Sequence, residues 1–176
     1  MDLPNVKYHP DPEGNDVIEE SDEACICCNK KRGYIYTGPV YAIEELDEQL
    51  CPWCIASGEA AKKFDASFAD AHPLLRDGIA KNIVDEVSLR TPSYSSWQQE
   101  QWLSHCNDAC EFHGDASEED VRNASEETKQ QWMQNYQSGE ELWNTITEGY
   151  YPKGDNAIYK FKCRHCNQII FGWDCS

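Results

Sequence analysis

The chain has 176 residues, 40% apolar and 27% charged, which suits one compact domain or two small ones and excludes a disordered chain. Lys and Arg number 15 against 32 Asp and Glu, a formal net charge of −17, so a nucleic-acid partner is not expected: another polyanion would be repelled. No apolar run approaches the roughly 20 residues of a membrane span, and the acidic start Met1-Asp2-Leu3-Pro4 lacks the basic and apolar regions of a secretory signal, so a soluble, cytoplasmic protein is expected.

Residues 1–23 carry eight acidic residues and one Lys, with His9-Pro10-Asp11-Pro12 among them, and read as an extended arm on the surface or a mobile tail. The β-branched and aromatic stretch Arg32 to Tyr41, punctuated by Gly33, Gly38 and Pro39, predicts one or two short strands with a turn. Ile43, Leu46 and Leu50 then stand at helical or turn spacing. Phe64 and Phe68, four apart, predict a helix from Ile55 to Phe68, interrupted by His72-Pro73. Leu74, Leu75, Ile79, Ile83, Val84 and Val87 predict a second helix that Thr91-Pro92 stops. A third is predicted from Ser93 to Phe112, with Trp102, Cys106 and Cys110 on one face. Ser117-Glu118-Glu119-Asp120 opens a fourth that runs to about Tyr136, because acidic side chains suit a helix N-terminus. A short helix over 139–147 follows, and Ile158–Lys162 and Ile169–Trp173 read as strands.

Ten cysteines organise this pattern, since in a reducing compartment thiols serve metal or redox chemistry rather than disulfides. Cys25-x-x-Cys28 and Cys51-x-x-Cys54, separated by 22 residues, supply four soft ligands at a spacing that Zn²⁺ favours. A loop with two thiolates, a hairpin, and a helix whose first turn holds the other two is the treble-clef plan. Pro52 is tolerated in that first turn, where its missing N–H has no partner to lose. Cys27 is a spare, and Lys30-Lys31-Arg32 and Lys62-Lys63 would offset the charge of a four-thiolate centre. Cys51-Pro52-Trp53-Cys54 also matches a glutaredoxin-type redox pair, but no strand is predicted to lead into it.

Cys163-Arg164-His165-Cys166-Asn167, framed by two predicted strands, has the form of a zinc knuckle and needs two more ligands. Cys106 and Cys110, at i and i+4 on the predicted third helix, are the expected partners, closing a loop of 52 residues. His105 or His113 are the alternatives for one of these thiols, and His165 is expected to face solvent. Cys175 reads as an exposed thiol. No GxxxxGK[ST], GxGxxG, HExxH or GxSxG motif is present, so phosphate cradles, zinc-protease helices and nucleophile elbows have no support.

Several motifs together resemble the CbrC family of bacterial proteins. They are Tyr8-His9-Pro10-Asp11-Pro12, the Cys25-x-Cys27-Cys28 cluster with Arg32 to Tyr41, Leu50-Cys51-Pro52-Trp53-Cys54-Ile55-Ala56, the stretch from Trp97-Gln98 to Cys110, and Phe171-Gly172-Trp173-Asp174-Cys175-Ser176. Gln99 departs from that family's pattern, which has glycine there. The resemblance implies a bacterial cytoplasmic protein of unassigned activity with a name tied to colicin tolerance, and it carries no catalytic residues across.

The expected fold is therefore α+β, a small zinc-stabilised protein. Residues 1–72 form the acidic arm and a treble-clef-like zinc unit, and residues 73–176 a helical region closed by a C-terminal zinc-knuckle hairpin. Two Zn²⁺ ions are expected, held by Cys25, Cys28, Cys51 and Cys54 and by Cys106, Cys110, Cys163 and Cys166. The expected function is a binding or adaptor module whose acidic surface meets a basic protein partner. The alternative is an enzyme, a thiol oxidoreductase at Cys51 and Cys54 or a zinc hydrolase with an incomplete second site.

Overall fold

The acidic N-terminal stretch is not all an arm. In the structure, a computed structural model that describes residues 2–176, Ile18–Ala24 (β1) and Lys31–Tyr36 (β2) pair antiparallel, with Ile18 opposite Tyr36 and Ala24 opposite Lys31. Four acidic side chains in β1, Glu19, Glu20, Asp22 and Glu23, hide the strand from a propensity reading; they point into water while Ile18 is buried. The loop that joins the two strands is the first Cys-x-x-Cys turn.

The expected helix over 55–68 is two short ones, Pro52–Ala56 (α1) and Glu59–Phe64 (α2). Gly58 between them adopts a left-handed φ of 78°, and Asp65, at φ 49°, ends the second. The next expected helix divides in the same way at Gly78, φ 73°, into His72–Arg76 (α3) and Lys81–Arg90 (α4). Pro73 opens α3 instead of interrupting a helix, since its fixed φ suits a first turn.

From Ser93 to Phe112 the structure has no helix. Ser104–His105 (β3) and Asp108–Ala109 (β4) form a tight hairpin, and Glu111–Asp115 (β5) follows. Both turn residues, Cys106 at φ 52° and Asn107 at φ 58°, are left-handed, the geometry that matches the twist of a two-residue hairpin. The i, i+4 spacing of Trp102, Cys106 and Cys110 imitates a helical face, but Ser, Asn, His and Asp around it favour turns.

Glu118–Arg122 (α5) and Glu126–Asn135 (α6) replace the single helix expected to Tyr136. Ser117 caps the first through a reciprocal box with Asp120, and Ser125 caps the second. Glu140–Thr147 (α7) stands where expected. Asn156–Lys162 (β6) and Ile169–Cys175 (β7) complete an antiparallel sheet ordered β5-β6-β7, with β6 in the centre.

Among the described residues, three apolar cores lie along this frame. Val17, Ile18, Leu46, Leu50, Ile55 and Phe68 surround the first cysteine group. Tyr8, Leu74, Val87, Tyr94, Trp102, Phe112 and Phe161 form the middle core, where Tyr94 and Phe112 stack at 4.1 Å. Trp132, Trp143, Ile146, Ile158 and Phe171 join α6 and α7 to the back of the sheet. Part of the expected arm is thus core: Tyr8 is fully buried, and its carbonyl accepts from the Phe112 N–H at 2.8 Å. The result is a mixed α and β protein with small antiparallel sheets.

Candidate metal centres

Cys25, Cys28, Cys51 and Cys54 converge, with their sulfurs all within 4.8 Å of one another. Cys25 Sγ lies 3.8 Å from Cys54 Sγ, and Cys28 Sγ lies 4.0 Å from Cys51 Sγ. A tetrahedral zinc with ~2.3 Å bonds to sulfur spaces its sulfurs about 3.8 Å apart, so the group has the size of such a site. Two elements deliver the ligands. One is the β1–β2 turn; the other is the start of α1, where Cys51 is the N-cap and Pro52 the first helical residue.

Electrostatics favour a thiolate at Cys25. The Cys51 N–H donates to Cys25 Sγ at 3.2 Å. The Cys51 thiol also donates to it, and against the opposing cost of burial this holds Cys25 well below the usual thiol range, while the bond to Cys25 pushes Cys51 up and burial pushes Cys54 up. Lys63 from α2 donates to the carbonyls of Ile26 and Cys27, both at 2.9 Å, and so puts a cation against the turn. The Arg32 guanidinium lies 5.3 Å over the Trp53 ring beside Cys28. These two cations suit the double negative charge of a four-thiolate zinc. Cys27, half-buried and with its thiol pushed up by burial, stays outside the group.

The second group is His105, Cys106, Cys163 and Cys166. Cys106 Sγ and Cys166 Sγ are 3.9 Å apart, and His105 Nδ1 lies 3.3 Å from the first and 3.4 Å from the second. Zinc bonded to one nitrogen and three sulfurs would place them about 3.6 Å apart. Cys110 is not among these four, although its thiol feels the charges of Cys163, Cys166 and Cys106. The two-residue turn aims Cys106 at the β6–β7 loop, whereas Cys110, across the hairpin, is fully buried in the middle core. Its N–H donates to the Leu103 carbonyl and its carbonyl accepts from Trp102 Nε1, each at 2.9 Å. Burial pushes its thiol up. His105, an alternative ligand in the sequence, stands at the fourth position of the group; Cys106-Asn107, a left-handed turn pair rather than a stretch of helix, puts it there.

The two Cys-x-x-Cys turns share one backbone design. In each, an Asn follows the second Cys in a left-handed conformation, Asn29 at φ 57° and Asn167 at φ 62°. Its N–H donates to the first Cys carbonyl, at 2.7 Å for Cys25 and 3.1 Å for Cys163. The first Cys N–H closes the loop on the carbonyl five residues later, Lys30 or Gln168. The His165 N–H also reaches Cys163 Sγ at 3.4 Å. Burial alone would raise Cys163, but N–H groups of Cys166 and His165 and a hydrogen bond from His105 bring it to about 6.

Asp108 braces the second turn. Its buried carboxylate accepts from Tyr8 Oη at 2.7 Å and from His165 Nε2 at 3.0 Å, with Arg164 Nη1 at 3.4 Å. Burial would raise this carboxyl, yet the bonds from Tyr8 and His165 hold it below the usual range. His165 is exposed and His113 pairs with Glu111 at 3.2 Å; neither enters the group. Cys175 is half-buried near the end of β7.

Elsewhere, a cleft of about 550 Å³ opens between Tyr41, Leu75, Ile79, Val84 and Gln99. Its polar rim is tied up internally: Lys81 pairs with Asp85, Gln99 donates to Asp70, and Ser88 donates to the Val84 carbonyl. Buried Glu100 behind it accepts from Tyr41 Oη at 2.6 Å and the Asp70 N–H at 2.9 Å. Among the described residues, no helix is long and apolar enough to cross a membrane.

Comparison with known proteins places the chain in a family. The model of an uncharacterised protein family, UPF0167, matches residues 3–175. The UPF0167 protein PA1536 of Pseudomonas aeruginosa is 46% identical over 173 residues, 98% of this chain and 97% of its own. The UPF0167 protein Mb2317 of Mycobacterium bovis is 48% identical over 119 residues, 68% of this chain and 64% of its own. The resemblance to the CbrC family is corrected by these matches: the family and the relatives are named UPF0167, and none of these names carries the colicin association. No solved structure matches the chain.

Proposed function

The chain belongs to the uncharacterised protein family UPF0167, and on that premise we propose that it is a zinc-stabilised binding module of the cytoplasm, holding two Zn²⁺ ions and meeting a basic protein partner through its acidic surface. One observation carries the reading: two groups of four ligand side chains, drawn from segments far apart in the chain, each have the dimensions of a tetrahedral zinc site. In this reading the first centre is treble-clef-like and the second is a knuckle on a hairpin. The shared Cys-x-x-Cys-Asn turn supports both, because a tight turn that aims N–H groups at sulfur favours the thiolate that zinc requires.

With four ligands gathered, neither centre would keep an open position for water activation, so the metal would serve folding rather than a reaction. Dithiol chemistry at Cys51 and Cys54 finds less support, since both thiols are buried and face Cys25 and Cys28. The net charge of −17 supports a cationic partner. Elemental analysis with thiol titration under native conditions tests the reading. Two zinc ions per chain, with fast thiols limited to Cys27 and Cys175 when zinc is bound, are expected. A metal-free purified protein that keeps its native melting curve would overturn it.

A further inference from the structure

The two centres differ in what faces solvent. In the first, Cys25, Cys51 and Cys54 are buried and Cys28 half-buried. In the second, Cys163 is buried, but Cys106 and Cys166 are both exposed and stand 3.9 Å apart, each on a loop tip. Cys106 occupies a two-residue turn, and Cys166 closes the β6–β7 loop, so the sulfurs can close the remaining gap to a ~2.05 Å bond by movement at the tips alone. Resting on the zinc reading above, we propose that the second centre is oxidation-gated: a hydroperoxide joins Cys106 and Cys166 in a disulfide, and the metal leaves that centre alone.

The chemistry balances. One of the two exposed thiolates attacks a peroxide oxygen; the O–O bond breaks, a sulfenic acid forms, and the departing alkoxide or hydroxide takes a proton. The second thiolate attacks the sulfenic sulfur, the S–S bond forms, and the displaced hydroxide takes a proton to become water. Two thiolates lose two electrons and the hydroperoxide gains them. Only Cys163 and His105 then remain for the metal, half of what a zinc site needs. The fold persists, because the packing beneath this centre, Trp102, Phe112 and Phe161, does not depend on the two tips. The buried first centre is shielded from the same reagent.

The test uses the zinc-loaded full chain, hydrogen peroxide and a chromogenic zinc chelator. One zinc per chain is expected to be released as two thiols are lost, with peptide mapping showing Cys106 joined to Cys166. Near-UV circular dichroism should be retained, and a reductant with added zinc should restore the starting state. The variant C27S/C175S should respond equally. Two retained zinc ions, loss of both together, or a disulfide between other cysteines would overturn the gating and leave the zinc reading standing. A second centre that carries no metal before peroxide is added would overturn the reading beneath it and the gating with it.

Discussion

His9 shows how one buried side chain sets an acid limit on stability. It is fully buried; its Nδ1–H donates to the Pro92 carbonyl at 2.7 Å, and Nε2 accepts from Asn15 at 2.9 Å, which fixes the neutral ring. Burial lowers its pKa from 6.5 to about 4. The ring therefore takes up a proton on unfolding but not in the fold. Its contribution is complete above pH 6.5 and is lost as pH falls from there to about 4, at most about 3 kcal/mol. His9→Gln should accordingly show a shallower loss across that window, read from denaturant midpoints in parallel with the parent; identical pH slopes would refute the assignment. Metal loss in acid affects both proteins and cancels in the comparison.

Cysteine identity is decided at the same scale. Cys106→Ser should lower the zinc content from two to one, whereas Cys110→Ala should keep two and cost about 1 kcal/mol of packing, as measured by elemental analysis and urea unfolding. Spacing in the sequence was enough to pair Cys25-x-x-Cys28 with Cys51-x-x-Cys54, because both pairs are local turns whose geometry the intervening residues hardly alter. At the second group the four side chains that converge include His105 rather than Cys110. Whether a side chain meets the knuckle or the core depends on which residue occupies the turn, and that is set by the left-handed Cys106 and Asn107, not by the apolar period.

At the scale of elements, the two Cys-x-x-Cys-Asn turns share one backbone plan, each carried between antiparallel strands. The left-handed Asn is their common requirement. Asn29→Val or Asn167→Val should cost about 1–2 kcal/mol each and loosen the corresponding zinc, while Gly at either position should be close to neutral. Competition with a chelator, monitored together with thermal melting, measures both effects. The last hairpin was legible because Ile158 to Phe161 and Ile169 to Phe171 are apolar on both sides of the turn. The first was half hidden: β1 is a strand by pairing and by Ile18 burial, against four acidic residues whose exposed side chains give no alternating pattern. Helix ends were similarly disguised, since Gly58, Gly78 and Ser125 each divide what apolar spacing alone would run together.

For the molecule as a whole, metal and charge act in opposite directions. At the buried first centre, structural zinc contributes on the order of 10 kcal/mol, as much as an entire domain's stability, so exhaustive chelation should unfold the N-terminal core built around it. Near-UV circular dichroism during chelation checks this; a signal unchanged after verified metal loss would contradict it. The charge of −17 repels itself, and screening should raise the melting temperature between about 10 and about 300 mM salt, in a calorimetric series at fixed pH.

The order of the strands also governs when this protein can first become itself during synthesis. The middle strand of its three-stranded sheet, Asn156–Lys162, and the turn that completes the second sulfur cluster lie far downstream of Tyr8 in the chain, yet they close over it. A nascent chain must therefore leave Tyr94, Trp102 and Phe112 uncovered until that strand has followed them out.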